Sequence, residues 1–203
     1  VRNIIKEELV TLKEKYGDDR RTEIVESVKE ITIEDLIAEE EMVVTISHAG
    51  YIKRMPLSTY RKQRRGGVGV KGMETKEEDF VENLFVASTH DYILFFTNIG
   101  KCYCIKVFEI PEEGRLARGK AIINLIQVEP GEKIASFVTV KEFSDDKYVL
   151  FVTRKGIIKK TNLSEYSRPL SRGIIAISLD DDDSLVDAKL TDGNQEIIIV
   201  THD

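Results

Sequence analysis

The run Gly50–Gly72, GYIKRMPLSTYRKQRRGGVGVKG, carries Lys53, Arg54, Arg61, Lys62, Arg64, Arg65 and Lys71 and no acid. The chemistry shared by these side chains is anion binding. Its densest part is Gln63-Arg64-Arg65-Gly66-Gly67-Val68-Gly69. Arginine offers a planar fork that matches phosphate oxygens. The glycines beside it let the backbone approach a phosphate closely and present amide donors. Nothing in this set reads a base edge, so the pattern predicts recognition of a phosphate backbone by charge and shape.

Other chemistries are poorly supported. Gly67-Val68-Gly69-Val70-Lys71-Gly72 fits GxGxxG, but that fingerprint needs an apolar strand before it and a helix after it. Here RKQRR precedes it, and strand-like or loop residues Met73–Asp79 follow. No Ser, His and Asp arrangement, HExxH or Walker loop is legible. The pairs His90 with Asp91 and His202 with Asp203 recur at one point of a repeat, which assigns them to a turn. Asp180–Asp183 lacks the spacing of an EF-hand and reads as an acidic, solvated turn. The two cysteines, Cys102 and Cys104, sit two apart on a strand, too close for an unstrained disulfide. With three scattered histidines they make no zinc site, and they read as unpaired thiols of a reducing compartment.

The elements that must position the basic residues come next. The 203 residues carry a net charge of −6, yet residues 1–41 hold thirteen acids against seven bases, so residues 42–203 balance at twenty-three of each sign. The acidic average therefore does not argue against an anionic partner. No run approaches the roughly 18 apolar residues a membrane helix needs, and no basic-then-apolar leader opens the chain.

Ile5, Leu9, Leu12 and Tyr16 share one stripe of a helix predicted over 3–16, with Gly17 at its stop. A charge-dense linker follows to residue 41, placed to lie against the next domain. From Met42 the pattern becomes short β-branched and aromatic runs. A strand with Ser or Thr three residues before a glycine recurs as VVTISHAG, ILFFTNIG and VLFVTRKG, ending at Gly50, Gly100 and Gly156, and IIIVTHD begins a fourth copy. Leu57, Val107 and Leu163 follow each glycine by seven residues, and Tyr60, Ile110 and Tyr166 by ten. A second glycine, Gly67, Gly119 or Gly173, opens another short run, and a last apolar strand closes each unit.

The repeats run over about 42–91, 92–147 and 148–195, with 196–203 truncated. This is an all-β, propeller-like array of four-stranded blades preceded by a short helix and linker. Three copies and part of a fourth form an arc with an unfinished edge, and with Val1 at the start the chain reads as a fragment. Each repeat carries cations at two places. Lys53 and Arg54, Lys101 and Lys106, and Lys159 and Lys160 follow the turn glycine; Arg64 and Arg65, Arg118 and Lys120, and Arg168 and Arg172 flank the second glycine. Stacked units should align them as a curved basic stripe along the outer edge, which suits a bent duplex.

At these residues the chain strongly resembles the C-terminal domain of the DNA gyrase A protein. Gln63–Gly69 resembles the gyrase A box, and KYGDDRRTEI at Lys15–Ile24, EDLI at Glu34–Ile37 and VVTISHAGYIKR at Val43–Arg54 resemble its flanks. Val68 stands where the box is usually basic, leaving one phosphate partner fewer. The resemblance implies a β-pinwheel, usually of six blades, whose rim wraps double-stranded DNA without sequence preference so that an ATP-driven type II topoisomerase introduces negative supercoils. Gln63, Arg64, Arg65, Gly66, Gly67 and Gly69 would anchor the wrap, with Arg61, Lys62 and Lys71 beside them and the cations of later blades continuing it.

The resemblance further implies that this chain holds no catalytic residue, metal or cofactor. Strand cleavage, ATP and Mg2+ would belong to other regions, in a cytoplasmic, nucleoid-associated A2B2 assembly with the gyrase B protein and a second copy of gyrase A. Two alternatives are the topoisomerase IV counterpart and a noncatalytic propeller that binds proteins.

Overall fold

The structure is a computed structural model that describes residues 1–18, 21–22, 32–60, 73, 79–168 and 170–200. It divides into two compact units, Val1–Ile33 and Glu34–Asp203. The first is built on helix α1, Arg2–Tyr16, where the apolar stripe predicts it. Lys13 and Lys15 in its last turn suit the negative end of the helix dipole, and the Gly17 amide closes it on the Lys13 carbonyl. Among the described residues no helix is long and apolar enough to cross a membrane.

The second unit is a series of antiparallel sheets. Its strands are β1 Glu41–Ser47, β2 Tyr51–Pro56, β3 Val81–Ser88, β4 Tyr92–Thr97, β5 Lys101–Lys106, β6 Lys120–Ala121, β7 Ile134–Val140, β8 Tyr148–Thr153, β9 Ile158–Asn162, β10 Ile174–Ile175 and β11 Leu185–Thr191. The sheet orders are β3-β1-β2-β6, β10-β5-β4-β7 and, among the described residues, β11-β8-β9.

The recurring Ser or Thr before each turn glycine has one physical cause. Ser47, Thr97 and Thr153 are buried, and each side-chain oxygen accepts the amide four residues on, from Tyr51, Lys101 and Ile157, at 3.2 Å. Each main-chain carbonyl accepts the glycine amide at 2.9 Å. Gly50, Gly100 and Gly156 then turn at φ 81°, 82° and 80°, where a side chain is disfavoured. The strand after each turn ends in a short 3-10 turn that opens on Leu57, Val107 or Leu163.

The fourth strand of blades one and two departs from the repeat boundaries. β6, from the second repeat, pairs with β2 of the first, with Tyr51 opposite Ala121 and Ile52 opposite Lys120. β10, from the third, pairs with β5 of the second, with Cys102 opposite Ile174. The run opened by the second glycine is thus an exchanged strand, given to the preceding blade. Blade two is covered on both faces, which is why ILFF is continuously apolar. Ile93 and Phe95 enter the core shared with Val44, Ile46 and Ile52 of blade one. Leu94 and Phe96 enter the core shared with Phe151, Leu163 and Tyr166 of blade three.

An acid buttresses two of the hairpins. Asp79 Oδ1 accepts the amides of Ala49 and Phe80 at 2.8 and 3.0 Å, and Asp183 Oδ1 accepts those of Lys155 and Ser184 at 3.1 and 2.8 Å. Desolvation opposes the Asp183 charge, but hydrogen bonds from Thr153 and these amides prevail and hold its pKa below the ordinary carboxylate value. Its contribution is therefore complete above the unfolded pKa and lost as pH falls through the lower folded one. The protection factor of the Lys155 amide, its exchange relative to the intrinsic rate at each pH, is expected to fall below about pH 4, the unfolded carboxylate range, and Asp183→Asn is expected to remove that fall. A protection factor that follows the same pH course in both proteins would contradict the assignment.

Residues ahead of β1 are strapped to the turn between β3 and β4. Thr89 Oγ1 donates to the Ala38 carbonyl at 2.8 Å and accepts from the Glu40 amide, while His90 Nε2 lies 2.9 Å from the Ile37 carbonyl. The Thr-His-Asp sequence is thus a turn element at residues 89–91, and its second copy at 201–203 lies outside the described residues.

Candidate nucleic-acid interface

Strands β3, β7 and β11 occupy the same edge of successive sheets. Glu82, Asn83, Ser136, Asp187 and Lys189 from these three strands line one cavity of about 260 Å³. That edge is therefore the inner one. The exchanged strands β6 and β10, and the loops that lead into them, lie at the opposite, outer edge.

The loop into β6 is the best defined part of this edge. Arg54 holds its first half: Nε donates to the Ile110 carbonyl at 2.8 Å, Nη1 pairs with Glu112 at 2.8 Å, and the backbone bonds to Pro111 and Glu113. Lys53 holds its second half. This side chain has no exposed surface, and its Nζ donates to the carbonyls of Gly114, Arg115 and Ala117 at 2.9, 2.8 and 2.9 Å. Desolvation lowers the Lys53 pKa, against an opposing influence of Glu113. Gly119 then turns at φ 84° and passes over Ile52 and Lys53. Arg118 rests on the Tyr51 ring, 5.4 Å from its centroid, a contact that leaves the guanidinium edge for a further partner.

The structure separates the predicted cations into two sets. Those on the strands after the turn glycine are engaged within the protein. Lys53 and Arg54 grip the loop just described, so Lys53 is not at the surface where the sequence pattern puts it. Lys101 pairs with Glu129 at 2.6 Å. Lys106 pairs with Glu34 at 2.6 Å, donates to the His90 carbonyl and lies 3.6 Å from the Tyr92 ring centroid. Desolvation works against the Lys106 charge, but the bond to Glu34 and the Tyr92 contact win and raise its pKa. In blade three Lys159 donates to the Ala176 carbonyl at 2.7 Å and Lys160 lies over Tyr148.

Those on the loops into the exchanged strands are different. Among the described residues Arg118, Lys120, Arg168 and Arg172 have no carboxylate at ion-pair distance, and all but the half-buried Arg118 are exposed. Arg61, Lys62, Gln63, Arg64, Arg65, Gly66, Gly67, Gly69 and Lys71 lie outside the described residues.

One cation of the loop set escapes sequence reasoning. Arg115 is exposed and has no ion-pair partner among the described residues. Its charge opposes the rise that burial imposes on the Tyr60 phenol, which places it near the residue that leads into Arg61. The signal was the longer spacing between glycines in the second repeat, which adds to this loop. Of the remaining candidates, Cys102 and Cys104 are free thiols that burial pushes up, Cys104 to about 12. Such thiols are not activated nucleophiles. Asp182 is engaged by Lys155 and Arg154, so the Asp180–Asp183 run is an acidic turn knitted to its neighbouring hairpin.

Sheets that converge on an inner edge, exchange their outer strands and carry at that outer edge cations with no ion-pair partner among the described residues define a β-propeller-like domain with a basic rim. The family model described as "DNA gyrase C-terminal domain, beta-propeller" matches residues 41–88, 91–141 and 147–192. The chain belongs to this family. The DNA gyrase A protein of Clostridium acetobutylicum is 51% identical over 199 residues, which is 98% of this chain and 24% of that protein. A crystal structure of the C-terminal domain of DNA topoisomerase IV superposes with a TM-score of 0.66 at 34% identity, over 77% of this chain and 47% of that one. A structure of a DNA gyrase A C-terminal domain gives 0.59 at 28% identity, over 75% and 48%. The chain thus spans about a quarter of the length of the curated relatives it matches.

Proposed function

We propose that this chain is the duplex-binding, duplex-wrapping part of a DNA gyrase A protein. The observation that carries the reading is that, among the described residues, the cations on the exchanged-strand loops have no ion-pair partner. Arg115, Arg118 and Lys120 on blade one and Arg168 and Arg172 on blade two occupy equivalent outer positions, so phosphates recurring along a curved duplex would meet them in turn. Gln63–Gly69 supplies the densest further set of donors, and the partner is double-stranded DNA read by backbone and shape. In this reading strand cleavage and ATP use, with Mg2+, belong to the rest of gyrase A and to gyrase B in a cytoplasmic A2B2 enzyme. This chain's residues hold and bend the duplex.

Binding is expected to be independent of sequence, with a log affinity against log salt slope steeper than about −3, since each phosphate contact contributes roughly −0.9. Fluorescence anisotropy with a short duplex between low and moderate salt measures it, and a flat response would overturn the proposal. A topoisomerase IV counterpart is the second reading, favoured by Val68 in the box and by the similarity to that solved structure. A supercoiling assay on relaxed plasmid with the whole enzyme separates the two.

A further inference from the structure

Lys53 is a lysine where the fold has room only for a buried side chain, with no carboxylate at ion-pair distance among the described residues, and burying a charge is costly unless its donors are satisfied. All three of its N–H donors are used on one loop, on the carbonyls of Gly114, Arg115 and Ala117. That loop has no regular structure between the Arg54 contacts at 110–113 and the start of β6, apart from one turn bond from the Ala117 amide to the Gly114 carbonyl. Its carbonyls are drawn inward to the ammonium, and the loop carries Arg115, exposed, and Arg118, seated on Tyr51.

We infer that Lys53 is a positioning residue. It does not touch phosphate; it fixes the 114–118 loop so that Arg115 and Arg118 are presented to the duplex as a preformed pair. The inference rests on the wrapping function proposed above. Its physical content is preorganisation: a loop already ordered by three charge-assisted hydrogen bonds loses less entropy when it binds. An apolar residue of the same length would fill the space and leave the loop without its central anchor.

The test is a double-mutant cycle on the 203-residue chain with a short duplex. Lys53→Met is expected to weaken binding by about tenfold and flatten the salt slope by about 1.8, the value of two phosphate contacts. In an Arg115→Gln, Arg118→Gln background the same substitution is expected to change affinity less than about twofold, because the groups it positions are gone. An equal loss in both backgrounds, or no loss in a folded Lys53→Met chain, would overturn the inference. A measurement on the unmodified chain covers the case where Lys53→Met does not fold. Acylation with and without duplex is expected to leave Lys53 unlabelled in both states while Lys120 becomes shielded. Labelling of free Lys53 that the duplex suppresses would make it a direct contact and sink the positioning role. A chain with no salt-dependent duplex binding overturns the wrapping function and this inference together. Weakening by the arginine pair alone overturns only the role of Lys53.

Discussion

Gly119→Ala is expected to detach β6 from β2 and to lower the midpoint of thermal unfolding by on the order of 10 °C. Two effects add. Gly119 has φ 84°, where an L side chain is strained at roughly 1–3 kcal/mol. Its Cβ would also lie 2.8 Å from the Ile52 carbonyl carbon and 3.0 Å from Lys53 Cβ, with the Ile52 oxygen closer still. The Ile52 atoms are main chain of a strand paired on both sides, to β1 and β6, and overpacking of this kind costs about 1–3 kcal/mol more. For a chain of this size each kcal/mol moves the midpoint by roughly 2–4 °C. Gly131 provides the control, since it has φ 85° but open space around the added atom. Gly131→Ala should cost only the backbone strain. Equal midpoints for the two alanine variants would show that the close passage of Gly119 over β2 contributes nothing.

The second large effect concerns function. If the proposed wrapping function is right and both cations serve the duplex, replacing Arg64 and Arg65 together by alanine is expected to leave the melting temperature unchanged within about 1 °C. The same variant is expected to lose most of the bending of a short duplex. Two phosphate contacts fewer flatten the salt slope by about 1.8, and bending a duplex of 20–30 base pairs costs about 1–6 kcal/mol that contacts along the curve must offset. Loss of the densest cluster therefore removes the bend before it removes binding. Ligase-mediated circularisation of short fragments reads the bend directly. Circle yields that match the parent chain would take the Gln63–Gly69 box out of the mechanism.

Much of the architecture was legible because the same hydrogen bonds recur in each repeat. Ser47, Thr97 and Thr153 mark the hairpins by their type and by their distance from a glycine, and Leu57, Val107 and Leu163 mark the 3-10 turns that follow. The exchange of outer strands was not legible. A two-residue strand such as Lys120–Ala121 looks the same whether it closes its own blade or its neighbour's, and its partner Ile52 is set by the third dimension alone. The rim was half legible. Lysine on a strand reads as surface, yet the atoms that capture Lys53 are carbonyls, which every residue has and which leave no trace in sequence. The ion pairs of Lys101 and Lys106 are hidden for a related reason: their partners Glu129 and Glu34 are distant in sequence, so nothing local announces the pairing. Arg118, Lys120, Arg168 and Arg172 stand out in the sequence because they flank Gly119 and Gly173, whose positive φ the fold requires.

The exchange of outer strands sets an order in time. During synthesis β1, β2 and β3 are complete once Ser88 has been made, but the outer edge of β2 stays uncovered until Lys120 and Ala121 follow. At roughly 5–20 residues per second that is a delay on the order of a few seconds. In that interval an open strand edge can pair with another chain. The same delay recurs for β5, which waits for Ile174 and Ile175. Blades one and two thus mature only when their successors have been translated, and Lys53, sitting on the waiting strand, has nothing to hold until the 114–117 loop leaves the ribosome. These two blades close one step behind the point of synthesis.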